Sequence, residues 1–124
     1  MIQDSQRLKG GQAIQYLITM DYIDPGPLLS LEQSASVAEK QTLPNLEACV
    51  KLSQEGTFRG GGVVVGGRKL LFILDAESND ELDKLLQALP AWAVMKTDIT
   101  LLQDFQNRLK QSRQIVERWK TVAQ

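Results

Sequence analysis

The chain has 124 residues, 43% of them apolar and 23% charged, which is the composition of one ordinary globular domain rather than a disordered segment. It contains no histidine and one cysteine, Cys49, so an internal disulfide is excluded and a protein-only zinc site is disfavoured. The formal net charge of -1 conceals an asymmetry, because residues 103–124 are rich in Arg and Lys while residues 1–102 are acidic. A basic run of this kind fits the solvated face and C-terminal end of a helix better than a nucleic-acid surface. Apolar stretches fall short of a membrane span and no signal-peptide core follows Arg7 and Lys9, so a cytoplasmic location is expected.

Residues 1–14 are polar, carry Gly10-Gly11, and read as an N-terminal extension. Tyr16 to Tyr22, rich in branched and aromatic residues, predicts a first strand ended by Asp24-Pro25-Gly26-Pro27. Ser30 with Gln33 three residues on forms a capping box for the helix that follows. Its apolar spacing continues through Leu43, Leu46 and Cys49 toward Leu52, across Pro44. A kinked, nearly continuous helix ending near Gln54 is expected, the alternative being a second helix capped by Thr42. Thr57 to Val65 reads as the second strand, in which Gly60-Gly61-Gly62 mark a bulge or a close backbone approach.

Gly66-Gly67 predicts a hairpin turn, and Arg68 to Asp75 the returning strand. Ser78 or Asn79 caps a helix to about Ala88 that buries Leu82, Leu85, Leu86 and Leu89 and stops at Pro90. Ala91 to Thr100 is expected to be the fourth strand. The order βαββαβ is that of ferredoxin-like α+β domains, with an antiparallel four-stranded sheet over residues 15–101. From 102 to 124 an amphipathic helix is expected, with Leu102, Phe105, Leu109, Val116 and Trp119 on one stripe. It crosses its own domain or reaches a neighbour.

Two helices cover one face of such a sheet, yet Leu70-Leu71-Phe72-Ile73-Leu74 is apolar on both faces. The second face is therefore expected to meet a partner subunit, the alternative being that helix 102–119 folds back over it within one chain. Glycines without a following lysine and hydroxyl, and not in a GxGxxG pattern opening a helix, disfavour a dinucleotide or phosphate site. No cofactor or metal is expected. The chemistry-bearing candidates are the carboxylates Glu39, Asp21 and Asp98 for proton removal, and Arg59, Arg68, Lys96 and Tyr22 for holding a small organic acid.

The stretch Glu55-Gly56-Thr57-Phe58-Arg59, the hairpin beyond it, Asp75, and Leu82 to Leu89-Pro90 with a strand after it resemble the muconolactone delta-isomerase family. The likeness runs from about Tyr16 to Thr100 and is ungapped from Glu55 to Asp98. It implies a dimeric α+β barrel assembled into a homodimer or a larger ring of dimers. The implied activity is cofactor-free proton transfer that moves a double bond in a small carboxylated lactone. The family pattern follows its arginine with a histidine and other large side chains, where this chain has Gly60, Gly61 and Gly62. Its second cluster of histidine, tyrosine and asparagine falls at Gly67, Arg68, Lys69 and Leu70, so Arg59 matches and the imidazoles do not. A non-catalytic ligand-binding module, or a structural oligomer recruiting partners through the C-terminal helix, is the alternative.

Overall fold

The computed structural model describes residues 14–23 and 29–123. The expected extension over residues 1–14 and the loop Asp24-Pro25-Gly26-Pro27 lie almost entirely outside the described residues. Strand β1 (Ile14–Tyr22) leads to helix α1 (Leu31–Val37), a π-turn (Ala38–Thr42) and helix α2 (Leu43–Gln54). Strands β2 (Phe58–Val63) and β3 (Lys69–Ala76) form a hairpin, followed by α3 (Asn79–Gln87), β4 (Met95–Leu102) and α4 (Phe105–Ala123).

The capping box is formed as expected: Ser30 Oγ accepts from Gln33 N–H at 3.0 Å, and Gln33 Oε1 accepts from Ser30 N–H at 2.9 Å. The helix then runs without a break into α2. Thr42 is helical and makes no side-chain cap, so the alternative of a second, Thr42-capped helix fails. The chain absorbs Pro44 by widening one turn, in which Leu43 N–H reaches back to Ala38 O across five residues. A π-turn re-routes the backbone bonds where the proline ring would meet the preceding turn. The hydroxyl of Thr42 instead pairs with Tyr22 Oη at 2.7 Å, tying this turn to the end of β1.

The sheet order is β2-β3-β1-β4, with every neighbouring pair antiparallel. Tyr16, Ile18 and Met20 of β1 and Phe72, Leu74 and Ala76 of β3 share one face, and all are buried. Helices α2 and α3 close that face with Leu46, Cys49, Leu52, Leu82, Leu85 and Leu86. Burying such side chains contributes roughly 1.5–3 kcal/mol each, which makes this layer the main source of stability.

Two expectations need correction. The sheet is open, not closed into a barrel: β2 and β4 are its two edges and do not pair. Four strands twisted by the usual amount leave their edges well apart. The fourth strand also starts late, at Met95, because Trp92–Val94 form a 3-10 turn. Ala91 N–H is taken by Asn45, and Trp92 and Val94 N–H by the carbonyls of Leu89 and Ala91, so these N–H groups are withdrawn from the ladder. The Val94 carbonyl still reaches the β1 side, accepting from Ile23 N–H at 3.1 Å.

The hairpin turn needs only one of its two glycines. Gly66 has φ +79 at the third position of a turn closed by Gly67 N–H to Val64 O at 3.0 Å, as in a type II turn. In β2 the register slips between Phe58 and Gly60, the expected bulge. Gly61 has φ +132, and a Cβ there would lie 2.1 Å from the carbonyl oxygen of Leu71. Gly60 and Gly62 are different, because a Cβ at either meets nothing within 4 Å.

Candidate functional site

Cross-strand register assigns the polar candidates to faces. Gln15, Leu17, Thr19 and Asp21 alternate away from the helices, and their partners in β3 and β4 do the same. One end of this open face is a charged row in which Asp21 is flanked by Lys69 and Lys96, with the Lys69 ammonium 3.8 Å from the Asp21 carboxylate. Asp98, opposite Thr19, stands one row further on, so Lys96 and Asp98 share a face. Leu17, Leu71 and Ile73 fill the middle and are half-buried. At the far end, Asp75 opposite Gln15 holds Arg59.

Arg59 donates twice to Asp75 Oδ2, from Nε at 2.9 Å and from Nη2 at 2.6 Å. The Asp75 side chain is only 14% exposed whereas that of Arg59 is 49% exposed, so the guanidinium is the half of the pair that solvent or a ligand can reach. The other candidates lie elsewhere. Asp21 is six residues along β1 from the Asp75 row, about 20 Å at the rise of an extended strand. Asp98 is about 13 Å along the strands and about 10 Å across them. Glu39 is exposed in the π-turn on the opposite side of the sheet. Tyr22 points to the helical layer, where its hydroxyl is engaged by Thr42, and Arg68 is exposed in the hairpin turn. Within one chain, Arg59 is thus brought beside a carboxylate, but the carboxylate is Asp75.

The second element of the site is a cleft of about 500 Å³ between α2 and the edge strand β2. Leu46, Cys49, Val50, Phe58, Val63 and Phe72 line it, together with the backbone of Gly60, Gly61 and Gly62. Phe58 and Phe72 stack with ring centroids 4.0 Å apart and form its floor. The volume lies in the range of small-molecule sites, and no charged side chain lines it. Burial pushes the Cys49 thiol up from its ordinary pKa, so it stays protonated and poorly nucleophilic. The glycines make the rim of this cleft, and Arg59 is the residue immediately before them. Sequence reasoning chose Arg59 and singled out the glycines, but missed Asp75 because a carboxylate at a strand end gives no local signal of its partner. Among the described residues no cluster of three metal-ligating side chains occurs, and no helix is long and apolar enough to cross a membrane.

The topology and the bare-rimmed cleft define a small ferredoxin-like α+β domain with an apolar pocket on the helix side of the β2 edge and an arginine–carboxylate pair on the open face. The chain belongs to the muconolactone delta-isomerase family, whose model matches residues 15–108. A crystal structure of muconolactone isomerase is similar at 20% identity and a TM-score of 0.56, covering 73% of this chain and 88% of that one. At that identity the likeness concerns the fold. A structure of a transcriptional regulator aligns at 14% identity and a TM-score of 0.44, over 79% of this chain and 55% of that one. No curated protein matches the chain.

Proposed function

We propose that this protein is an isomerase-like enzyme that moves a proton on a small carboxylated or lactone substrate without a cofactor. The observation that carries the reading is the pairing of Arg59 with Asp75 on the open face at the bare glycine edge of β2, whose helix side carries the apolar cleft. The apolar body of the substrate lies in the cleft on the helix side, and its carboxylate passes round the bare glycine edge of β2 to the Arg59 guanidinium on the open face. Asp75, held by the same arginine, takes a proton from one carbon and returns it to another carbon of the enolate, which moves the double bond. Arg59 offsets the charge of the enolate that forms. Membership of the family supports this class of reaction. The half-buried apolar middle of the open face, Leu17, Leu71 and Ile73, supports a homodimer.

The test uses the purified chain with muconolactone in deuterated water, following exchange and double-bond movement by proton NMR. Exchange above the uncatalysed rate, lost in Arg59→Ala and Asp75→Asn chains that keep their circular dichroism spectrum, is the expected result. Absence of both exchange and ligand-induced shifts overturns the reading. A second reading, binding without turnover, is favoured by the lining of the cleft itself, which holds no acid or base but the neutral Cys49 thiol. It is recognised by shifts of cleft resonances with no exchange.

A further inference from the structure

The helix α4 is the least explained part of the molecule. Phe105, Leu109, Val116, Trp119 and Val122 are 94%, 51%, 44%, 67% and 80% exposed, and no element of the described chain packs against them to any extent. Phe105, Leu109, Ser112, Val116, Trp119 and Ala123 recur at alternating intervals of four and three. Ile115 and Val122 widen the stripe on one side. A stripe this broad fits a helix lying on a surface better than the narrow seam of a two-stranded coiled coil. The helix carries five of the chain's 14 basic residues and one of its 15 acidic ones, Glu117. Pairing two such helices would set Arg108, Arg113 and Lys120 against their own kind, whereas an acidic surface would satisfy them. The family match ends at residue 108, in the first turn of α4, so nearly all of this helix is additional to it.

A matching vacancy exists on the same chain. Ile99 and Leu101 are registered opposite Ile18 and Tyr16 and so share the core face of the sheet. Ile18 and Tyr16 are 0% and 2% exposed, yet Ile99 and Leu101 are 49% and 68% exposed. Helices α2 and α3 stop short of the β4 edge, and the neighbouring α3 bears Asp80, Glu81 and Asp83 against the single Lys84. The strip is apolar and the helix layer of the same face is acidic at α3, which complements an apolar stripe flanked by basic side chains.

We propose that α4 of one copy of this chain docks on a second copy as a third covering helix. It lies along β4 over Ile99 and Leu101, with its arginines and lysines toward the acidic helix α3. The contact is reciprocal, as two-fold symmetry requires, and lies on the opposite side of the sheet from the open face. It does not depend on the proposed isomerase reaction.

The test is made on the full chain, with p-benzoylphenylalanine in place of Trp119 and an equimolar isotope-labelled copy carrying Trp119. Light-induced adducts are then mapped by mass spectrometry. Adducts joining the unlabelled helix to labelled residues of β4 or α3 are expected. Adducts within one chain, between two α4 helices, on the open-face strands, or none at all, overturn the proposal. Independently, Leu101→Asp and Val116→Asp are each expected to weaken self-association about tenfold in sedimentation velocity. Both sites are exposed within one copy, so the fold should survive the change. Unchanged association in both variants overturns the proposal equally.

Discussion

Asn45 Oδ1 accepts the backbone N–H of Ala91 at 3.1 Å, and the two residues are 2% and 0% exposed. This bond joins the first turn of α2 to the start of the connection between α3 and β4, 46 residues away in sequence. It also explains why the chain after Pro90 turns before it extends. Replacing Asn45 by Ala leaves a buried N–H without its partner, which costs about 1–3 kcal/mol. Urea unfolding of Asn45→Ala should therefore show a lower midpoint with an unchanged slope. A midpoint equal to that of the parent chain would mean that water or a backbone shift satisfies Ala91.

The three consecutive glycines of β2 should respond very differently to the same added methyl group. Gly61→Ala must place a Cβ 2.1 Å from Leu71 O and 2.5 Å from the Cα of Phe72, at a φ that side chains avoid. The strand pair has to separate there, and a loss of more than about 2 kcal/mol is expected. Gly60→Ala and Gly62→Ala meet open space and should change stability by less than about 1 kcal/mol. Thermal unfolding of the three variants side by side checks this. Under the proposed function, bulkier residues at Gly60 or Gly62 should narrow the rim and weaken ligand binding while the fold persists.

Much of this architecture is legible in the residues. Ser30 and Gln33, Ser78, Pro44, and the leucines of α3 carry local signals that tertiary structure does not override. What the sequence conceals is non-local. Asn45 reads as one more polar residue of a helix, and Trp92 and Val94 read as strand because their alternation suits one. Arg59 was legible as a site residue through its neighbours, but Asp75 became its partner only through the β2–β3 register. Asp21 and Asp98 are correctly read as strand residues, yet nothing local tells that they stand at the other end of the open face from Arg59.

The Arg59–Asp75 pair should matter more to ligand than to fold. With Arg59 half exposed, solvent screens the ion pair, and Arg59→Ala should cost no more than about 1 kcal/mol. Loss of affinity for a small carboxylate should be larger, because a bidentate charge-assisted contact is removed. Arg59→Lys keeps the charge but not the fork, and is expected to recover only part of the binding. Calorimetric titration of the three chains with the same ligand decides the point. Equal affinities would exclude Arg59 as the anchor.

Cys49 supplies a pH signature for the cleft. Its thiol pKa is raised in the folded chain by desolvation, so the folded state holds the proton more tightly than the unfolded one. The stability due to this group is therefore complete below the ordinary thiol pKa of about 8.5 and is lost as pH rises from there through the raised folded value. Cys49→Ala should flatten that alkaline decline while leaving the lower range parallel to the parent. A thiol reagent such as dithionitrobenzoate should react with the folded chain more slowly than with the urea-unfolded chain at the same pH, because the reactive thiolate is scarcer. A molecule seated between Val50, Phe58 and Val63 should slow the reaction further, which turns Cys49 into a reporter of occupancy. Equal rates with and without a bound ligand would place that ligand outside the cleft.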